Sequence, residues 1–514
     1  MKQPVHVRLL ATAVCVLLWS LPAFGAEQSA ELDALAERAQ RLSWEQRFDE
    51  ALAFYAEVLA RDPEHELALR ERAKVLSWAG RYDEAIEAFR ALLADDPEDL
   101  EARLGLARVL SWSGEIVAAR DEYTAVLATH PGHPDALLGI AQTWAWSGDL
   151  RRARPAYEAA ARAATDPRLA NIGLAYLDLW EGATASARRR AAQLADRYPD
   201  DAETLDLLAA TRRATAPWMS GSWDQLDDSD RNLLTTIRVE AGHLPARGPA
   251  LRLAYADYDV RTFGRRGTIR SLQGTATWTP RARHQVEAML GLDRMTSPGF
   301  DDHDVSDWGL RWSFPLQGAW SGSLQARREP FRYSVPLIDN RIVIDSFTAA
   351  ASGPIGTRWR LAGEASAWRL SDNNRRLAAD VSFRRSVQYG EHTLEPGLNL
   401  RWLDWQQDLD NGYFDPDNFL ATGLGLRAYG PIPGRDRLDY NLSAELGLQS
   451  FDQSGVRTSN DPYYVLVGRL GWQATEGLRV EAWGEAGSYA SQGAADWRYT
   501  RVGVKLLHRF GMGR

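Results

Sequence analysis

Cysteine is nearly absent: Cys15 is the only one in 514 residues. It lies in an apolar N-terminal segment, so a chain trimmed of that segment has no thiol and no disulfide. Such a chain suits passage through an oxidising compartment. Excess positive charge is lacking as well. The net charge of −9 gives no polyanion-binding signature, so nucleic acid is not expected as a partner. Long apolar runs are missing apart from Leu9 to Leu21, which is too short to span a bilayer as a stable helix. The mean hydropathy of −0.38 excludes a bundle of membrane helices. It does not exclude a membrane β-barrel, whose residues alternate in character.

Enzyme signatures are also missing. There is no HExxH, no phosphate-binding P-loop and no GxSxG. Gly423 to Ala428 reads formally as GxGxxA, but within an expected strand and with no helix after it, so the dinucleotide context fails. Glu481 and Glu485 share a side of a strand about 13 Å apart at ~3.3 Å per residue, too wide for an inverting glycosidase pair. The Asp408-Leu409-Asp410-Asn411-Gly412 run misplaces the glycine of a calcium loop and lacks its terminal Glu. Asp301-Asp302-His303-Asp304 reads best as a solvated acidic loop. No catalytic residue, cofactor or metal is expected.

What is present begins with a processing signal. Lys2 and Arg8 precede the apolar run, and Ala23-Phe24-Gly25 is a small-x-small cleavage pattern. Residues 1–25 are therefore expected to be a signal peptide cut before Ala26.

A period of 34 residues follows. Pro63, Pro97 and Pro131 keep it, as do Ala51, Ala85, Ala119 and Ala153. Tyr55, Phe89, Tyr123 and Tyr157 repeat in step, with Gly80, Gly114 and Gly148. This order of small residue, Gly, Ala, aromatic and Pro resembles the tetratricopeptide repeat. Small residues let paired helices approach, the aromatic fills the groove, and stacking buries a face that no single repeat can bury alone. Four repeats are expected between about 30 and 165, with a degenerate fifth to about Pro199 that retains Ala187. A Trp ladder accompanies them: Trp44, Trp78, Trp112 and Trp146. These are candidate partner-binding positions, or a track for stacking sugars. Packing between neighbouring repeats is the more ordinary role for Trp near a helix end.

From Trp218 the pattern changes to period two, as in Leu251-Arg252-Leu253-Ala254-Tyr255 and Leu310-Arg311-Trp312-Ser313-Phe314. Alternation of this kind marks half-buried strands. Sixteen such runs are expected, near 218–223, 233–241, 251–258, 269–279, 284–293, 306–314, 319–327, 342–351, 358–370, 376–387, 392–405, 419–429, 438–450, 463–474, 477–489 and 498–510. Connections after even strands are mostly short. After odd strands most read as longer: Asp224 to Asn232, Arg294 to Val305, Arg328 to Arg341, Gln406 to Asn418 and Phe451 to Pro462. An even strand count with loop lengths segregated to opposite ends predicts an outer-membrane barrel. The last run, Thr500 to Phe510, ends in an aromatic as such barrels do. The fold class is thus α then β. A tetratricopeptide-repeat solenoid (26–200, periplasmic) leads through a linker (201–217) to an antiparallel transmembrane β-barrel of about sixteen strands (218–514) in the outer membrane.

Sixteen strands enclose a lumen wide enough for an aqueous channel unless something fills it. Alternation turns Arg479, Glu481, Trp483 and Glu485 inward, and likewise Arg360, Glu364 and Trp368. Arg327, Arg401 and Glu445 join them. Mixed charge with inward indoles suits a hydrated sugar chain, although a barrel interior is polar in any case and Arg–Glu pairs also satisfy one another.

Two short stretches carry a more specific likeness. Asn411-Gly412-Tyr413-Phe414-Asp415-Pro416-Asp417-Asn418-Phe419 is similar to the Gly-Gly-Tyr-Phe/Tyr-Ser-Pro-Gln-x-Tyr stretch of the cellulose synthase operon protein C family. Arg328-Glu329-Pro330 with Ser334 resembles that family's Arg-Arg-Pro stretch before a Ser. With the signal peptide, repeats and barrel, the chain resembles bacterial exopolysaccharide export proteins of the outer membrane. The likeness implies an export pore for a cellulose-like or related polysaccharide, with repeats docking periplasmic or inner-membrane synthesis or modification proteins. The alternative is a membrane-anchored repeat scaffold without transport. Tyr413, Phe414, Asp415 and Pro416 are candidate loop or gate residues, Pro416 biasing Asp415 to an extended backbone. Anchoring of that loop is favoured over direct gating.

Overall fold

The computed structural model describes residues 30–245, 248–281, 283–356, 358–409, 412–488 and 497–512. The expected signal peptide, with Cys15, and Asn411 lie outside the described residues. The chain divides into two compact units. One runs to Ser147 and includes Arg152–Ala170; the other comprises Gly148–Arg151 and Asn171–Arg514.

The helical part begins with α1 (30–44). It continues as α2 (Phe48–Arg61), α3 (Glu66–Trp78), α4 (Tyr82–Asp95), α5 (Leu100–Trp112), α6 (Ile116–Thr129), α7 (Pro134–Trp146), α8 (Leu150–Ala163), α9 (Arg168–Trp180), α10 (Thr184–Arg197) and α11 (Ala202–Thr215). The repeat period dictates where each pair turns. Gly80, Gly114, Gly148 and Gly182 all have φ between +74° and +87°, the left-handed backbone that ends a helix and that only glycine adopts cheaply. The second helices stop two residues before Pro63, Pro97 and Pro131. Asp99 caps α5 by accepting from Ala102 N at 3.0 Å, which satisfies an otherwise orphaned donor.

The aromatic of one repeat is received by a glycine of the next. A Cβ on Gly105 would overlap the Phe89 ring, and one on Gly139 would overlap that of Tyr123. Phe89 and Tyr123 are both buried, so neither ring has room to move. Gly105→Ala is therefore expected to destabilise the solenoid by roughly 1–3 kcal/mol, the usual cost of overpacking, read as a lowered helical melting temperature. An unchanged melt would show that this contact is slack.

Two expectations for the helical part are corrected. Residues 202–215 are not a linker but the helix α11, whose start is capped by Asp201 accepting from Thr204 N at 2.9 Å. The fifth repeat is also better kept than expected: Trp180 and Gly182 continue both ladders at the 34-residue interval.

The strands are β1 (Trp218–Asp228), β2 (Asn232–His243), β3 (Ala250–Thr262), β4 (Arg265–Arg281), β5 (His284–Thr296), β6 (His303–Pro315), β7 (Ser321–Pro330), β8 (Val343–Ile355) and β9 (Trp359–Leu370). β10 comprises Arg375–Arg385 and Val387–Tyr389, both paired with the following strand. The remainder are β11 (His392–Trp405), β12 (Asp417–Ile432), β13 (Arg435–Gln453), β14 (Val456–Gln473), β15 (Leu478–Gly487) and β16 (Tyr499–Arg509). Each pairs antiparallel with its neighbour in sequence, and β1 pairs with β16, so these sixteen strands close into a barrel. Closure removes the unpaired edges that a sheet would otherwise expose.

All sixteen expected runs are strands, but several expected loops are not loops. β13 and β14 run on to a tight turn at Ser454-Gly455, both with positive φ (50° and 77°), the conformation of a two-residue hairpin. Alternation fades where a strand leaves the apolar band, so Phe451 to Pro462 reads as a loop although its backbone stays paired. Asp224 to Asn232 likewise shortens to the turn at 229–231, and Arg294 to Val305 to 297–302.

Leu290, Leu398, Leu424, Leu446 and Leu506 are exposed and alternate with inward polar residues. Trp278, Trp312, Trp359, Trp472 and Phe510 sit exposed near the short-turn strand ends; Phe347 and Trp402 sit nearer the other, and Trp223 and Trp308 lie mid-strand. An apolar band between two aromatic girdles is the surface of a transmembrane barrel. No described helix is long and apolar enough to cross a membrane. The barrel fits an outer-membrane protein.

Candidate functional site: a plugged lumen

The alternation that turns leucines outward turns charge inward. Arg401 in β11 bonds Glu445 of β13 at 2.6 Å and 2.9 Å and reaches Asp380 of β10 at 3.4 Å. Asn399 and Tyr463 complete the Glu445 carboxylate at 2.6 Å and 2.5 Å. Arg479 pairs with Asp439 and with Glu481, both at 2.8 Å. Glu485 accepts from the Tyr499 hydroxyl at 2.5 Å, and Trp483 lies over Gly503, where a Cβ would overlap it. Arg327 pairs with Glu329 at 2.9 Å. Glu445 is the buried member of these ion pairs, and Arg401, Asn399 and Tyr463 satisfy its carboxylate, as a buried charge requires.

These groups line different parts of the wall rather than one site. A cavity of about 440 Å³ lies against β6 to β11, between Arg311, Ser323, Glu364, Asp380, Asn399 and Arg401. Arg360 faces Arg384 across the β9–β10 pair, and Arg384 lines this cavity. A smaller cavity of about 260 Å³ lies toward the long-loop end, bounded by Trp368, Arg376, Trp405 and Tyr413. Asp380 and Arg401 line both cavities.

Among the described residues, two segments cover the lumen at the long-loop end: 331–342, and 406–409 with 412–416. The first contains the short helix α12 (Val335–Asp339). Its Arg332 bonds Asp293 at 3.2 Å and Asp307 at 3.1 Å, two carboxylates with no exposed surface. Tyr333 donates to Asp228, and Val335 N donates to the Thr262 hydroxyl at 3.0 Å. Burial and the neighbouring Asp228 hold the Tyr333 proton far above the usual phenol range. Leu337 and Ile338 are buried among barrel side chains.

The second segment folds over the first. The Tyr413 ring packs 5.6 Å from Phe331 and 5.1 Å from Trp405. Its hydroxyl donates to Asp372 at 2.9 Å and accepts from Asn374 at 3.0 Å. Phe414 meets Phe451 edge-on at 5.3 Å. Asp415 Oδ2 accepts from Leu409 N at 2.7 Å and Asn374 Nδ2 at 3.3 Å, while Oδ1 is buried without a hydrogen-bond partner. Pro416 leads directly into β12. Burial pushes the Asp415 carboxyl up to about 7, and the neighbouring Asp408 adds to the rise.

The two stretches singled out in the sequence meet here. Ser334 Oγ donates to Gly412 O at 2.8 Å. Gly412 has φ +89°, and a Cβ there would crowd Pro336 and Ser334. Glycine is required by both the backbone and the space. Sequence reading missed Arg332 and Tyr333, which lie inside the expected loop Arg328 to Arg341, and Asn374, which lies between two expected strands.

In the helical part, Trp44, Trp78, Trp112 and Trp146 are 42–68 % exposed. Each ends a helix and is partly open to solvent. Asp302, in the acidic run, pairs with Arg294 at 2.8 Å. Among the described residues no group of three His, Cys, Asp or Glu is arranged to hold a metal.

A barrel carrying helical repeats is the class that fold and site define. The tetratricopeptide repeat model matches residues 45–88, 78–126 and 113–172. No curated protein matches the chain. Among solved structures it is similar to a bacterial polysaccharide outer membrane secretin (13% identity, 58% of this chain and 99% of that one, TM-score 0.48). It is also similar to a thermophilic tetratricopeptide repeat protein of Thermus thermophilus (21%, 36% and 98%, TM-score 0.32). A third is CdiB from Acinetobacter baumannii (12%, 57% and 60%, TM-score 0.37).

Proposed function

We propose that this protein is an outer-membrane export pore for an extracellular polysaccharide. The solenoid lies in the periplasm and docks synthesis or modification proteins, with the exposed Trp ladder as a contact. The long-loop end faces outward. The observation that carries this reading is the cavity of about 440 Å³ inside the closed barrel. Hydroxyls, carboxylates and guanidinium groups line it, all of which exchange hydrogen bonds with a hydrated sugar chain. The protein then acts on position and not on bonds, and has no chemistry of its own.

The packed plug favours a second reading, in which the barrel is an anchor and the solenoid the working part. Reconstitution into planar bilayers separates them. A pore gives stepwise conductance once the plug is loosened, reduced by neutral oligosaccharide on the side of the short turns. A barrel that stays silent with its plug loosened leaves only the scaffold.

A further inference from the structure

We propose that the 260 Å³ cavity beneath the plug is a binding subsite for one uncharged pyranose unit, an inference that rests on the export reading above. Its volume is below the ~300–1,000 Å³ of pockets for drug-sized ligands, so it admits a single sugar ring and not a length of polymer. One side is aromatic. Phe331 and Trp405 stand edge-on to Trp368 at 6.3 Å and 6.5 Å, and Arg376 covers part of the Trp368 ring at 3.6 Å. The other side is polar, from Asp380 and Arg401. A pyranose has this same division, with C–H groups on its faces and hydroxyls around its edge.

Charge selects among sugars. Arg401 is balanced by Glu445 and Asp380, and Arg376, the other cation on the lining, lies over the Trp368 ring and acts on Asp380. A neutral ring enters without disturbing these pairs, whereas a uronate would compete with Asp380 for them. Position gives the subsite its role. Asp380 and Arg401 also line the larger cavity, so a chain moving along that wall meets the pocket last before Tyr413 and Phe414. The pocket would hold the leading residue against the plug.

The test is calorimetric titration of the full chain in detergent micelles with a neutral β-linked glucose pentamer, a neutral β-linked N-acetylglucosamine pentamer and an acidic oligogalacturonate. At least one neutral oligomer is expected to bind. Trp368→Ala should weaken it by at least tenfold, Trp368→Phe by much less, and Asp380→Asn by several-fold. Unaltered heat-modifiability on gels shows that the variants keep the barrel. Unchanged affinity in Trp368→Ala, tighter binding of the acidic oligomer, or no binding of either neutral one overturns the subsite. Conductance without oligomer binding sinks the subsite and spares the pore; binding lost with Trp368 in a silent barrel does the reverse.

Discussion

Replacing Tyr413 and Phe414 together by alanine is expected to raise the conductance of the reconstituted protein by about two orders of magnitude. Both rings are nearly buried, and truncating a buried aromatic costs about 3–5 kcal/mol. The change also removes the hydrogen bonds that the Tyr413 hydroxyl makes with Asp372 and Asn374. Every 1.4 kcal/mol is a tenfold change in an equilibrium, so about 3 kcal/mol against the docked loop already moves it a hundredfold toward release. The strands that form the wall are untouched by the change. If conductance stays as in the parent, the segment 331–342, held by Arg332 on Asp293 and Asp307, closes the mouth without help from its neighbour.

Conductance is also expected to rise with pH through neutrality. In the docked loop Asp415 titrates at about 7; released into water it titrates near 3.9. The docked form therefore binds more protons. Its extra stability is complete below the solvated value and is lost as pH rises through 7. Between pH 6 and pH 8 the open fraction should grow about tenfold, and from pH 5 about a hundredfold. The groups facing this carboxyl are Leu409 N–H, Asn374 and its own backbone N–H, which favour the anion, and Asp408, which opposes it. Asp415→Asn reproduces the protonated form and should give a flat, low profile across the same range. A flat profile in the parent would show that Asp415 stays protonated or solvated throughout.

The two halves were legible to different depths. In the helical part the 34-residue period located the repeats, because one stacking solution fits Gly105 beneath Phe89 and Gly139 beneath Tyr123. The period did not say which face each Trp takes, since a residue at a helix end is as near to solvent as to the next repeat. In the barrel, alternation found all sixteen strands, because lipid and lumen ask opposite things of successive residues. It failed where both faces meet water. Phe451 to Pro462 shows this, for there the backbone hydrogen bonds persist without any apolar signature.

The plug marks the limit of local reading. Asn411 to Phe419 announced a patterned loop, and Pro416 its exit. Nothing within those residues points to Ser334, 78 positions away, or to Arg332 and its two buried carboxylates. From sequence alone follow the class of each half and the alternation of the strand faces, because these rest on periodicity and composition. The filled mouth, the exposed indole ladder and the neutral pH at which Asp415 titrates were decided by tertiary structure. Each depends on which distant side chains share a space from which water is excluded.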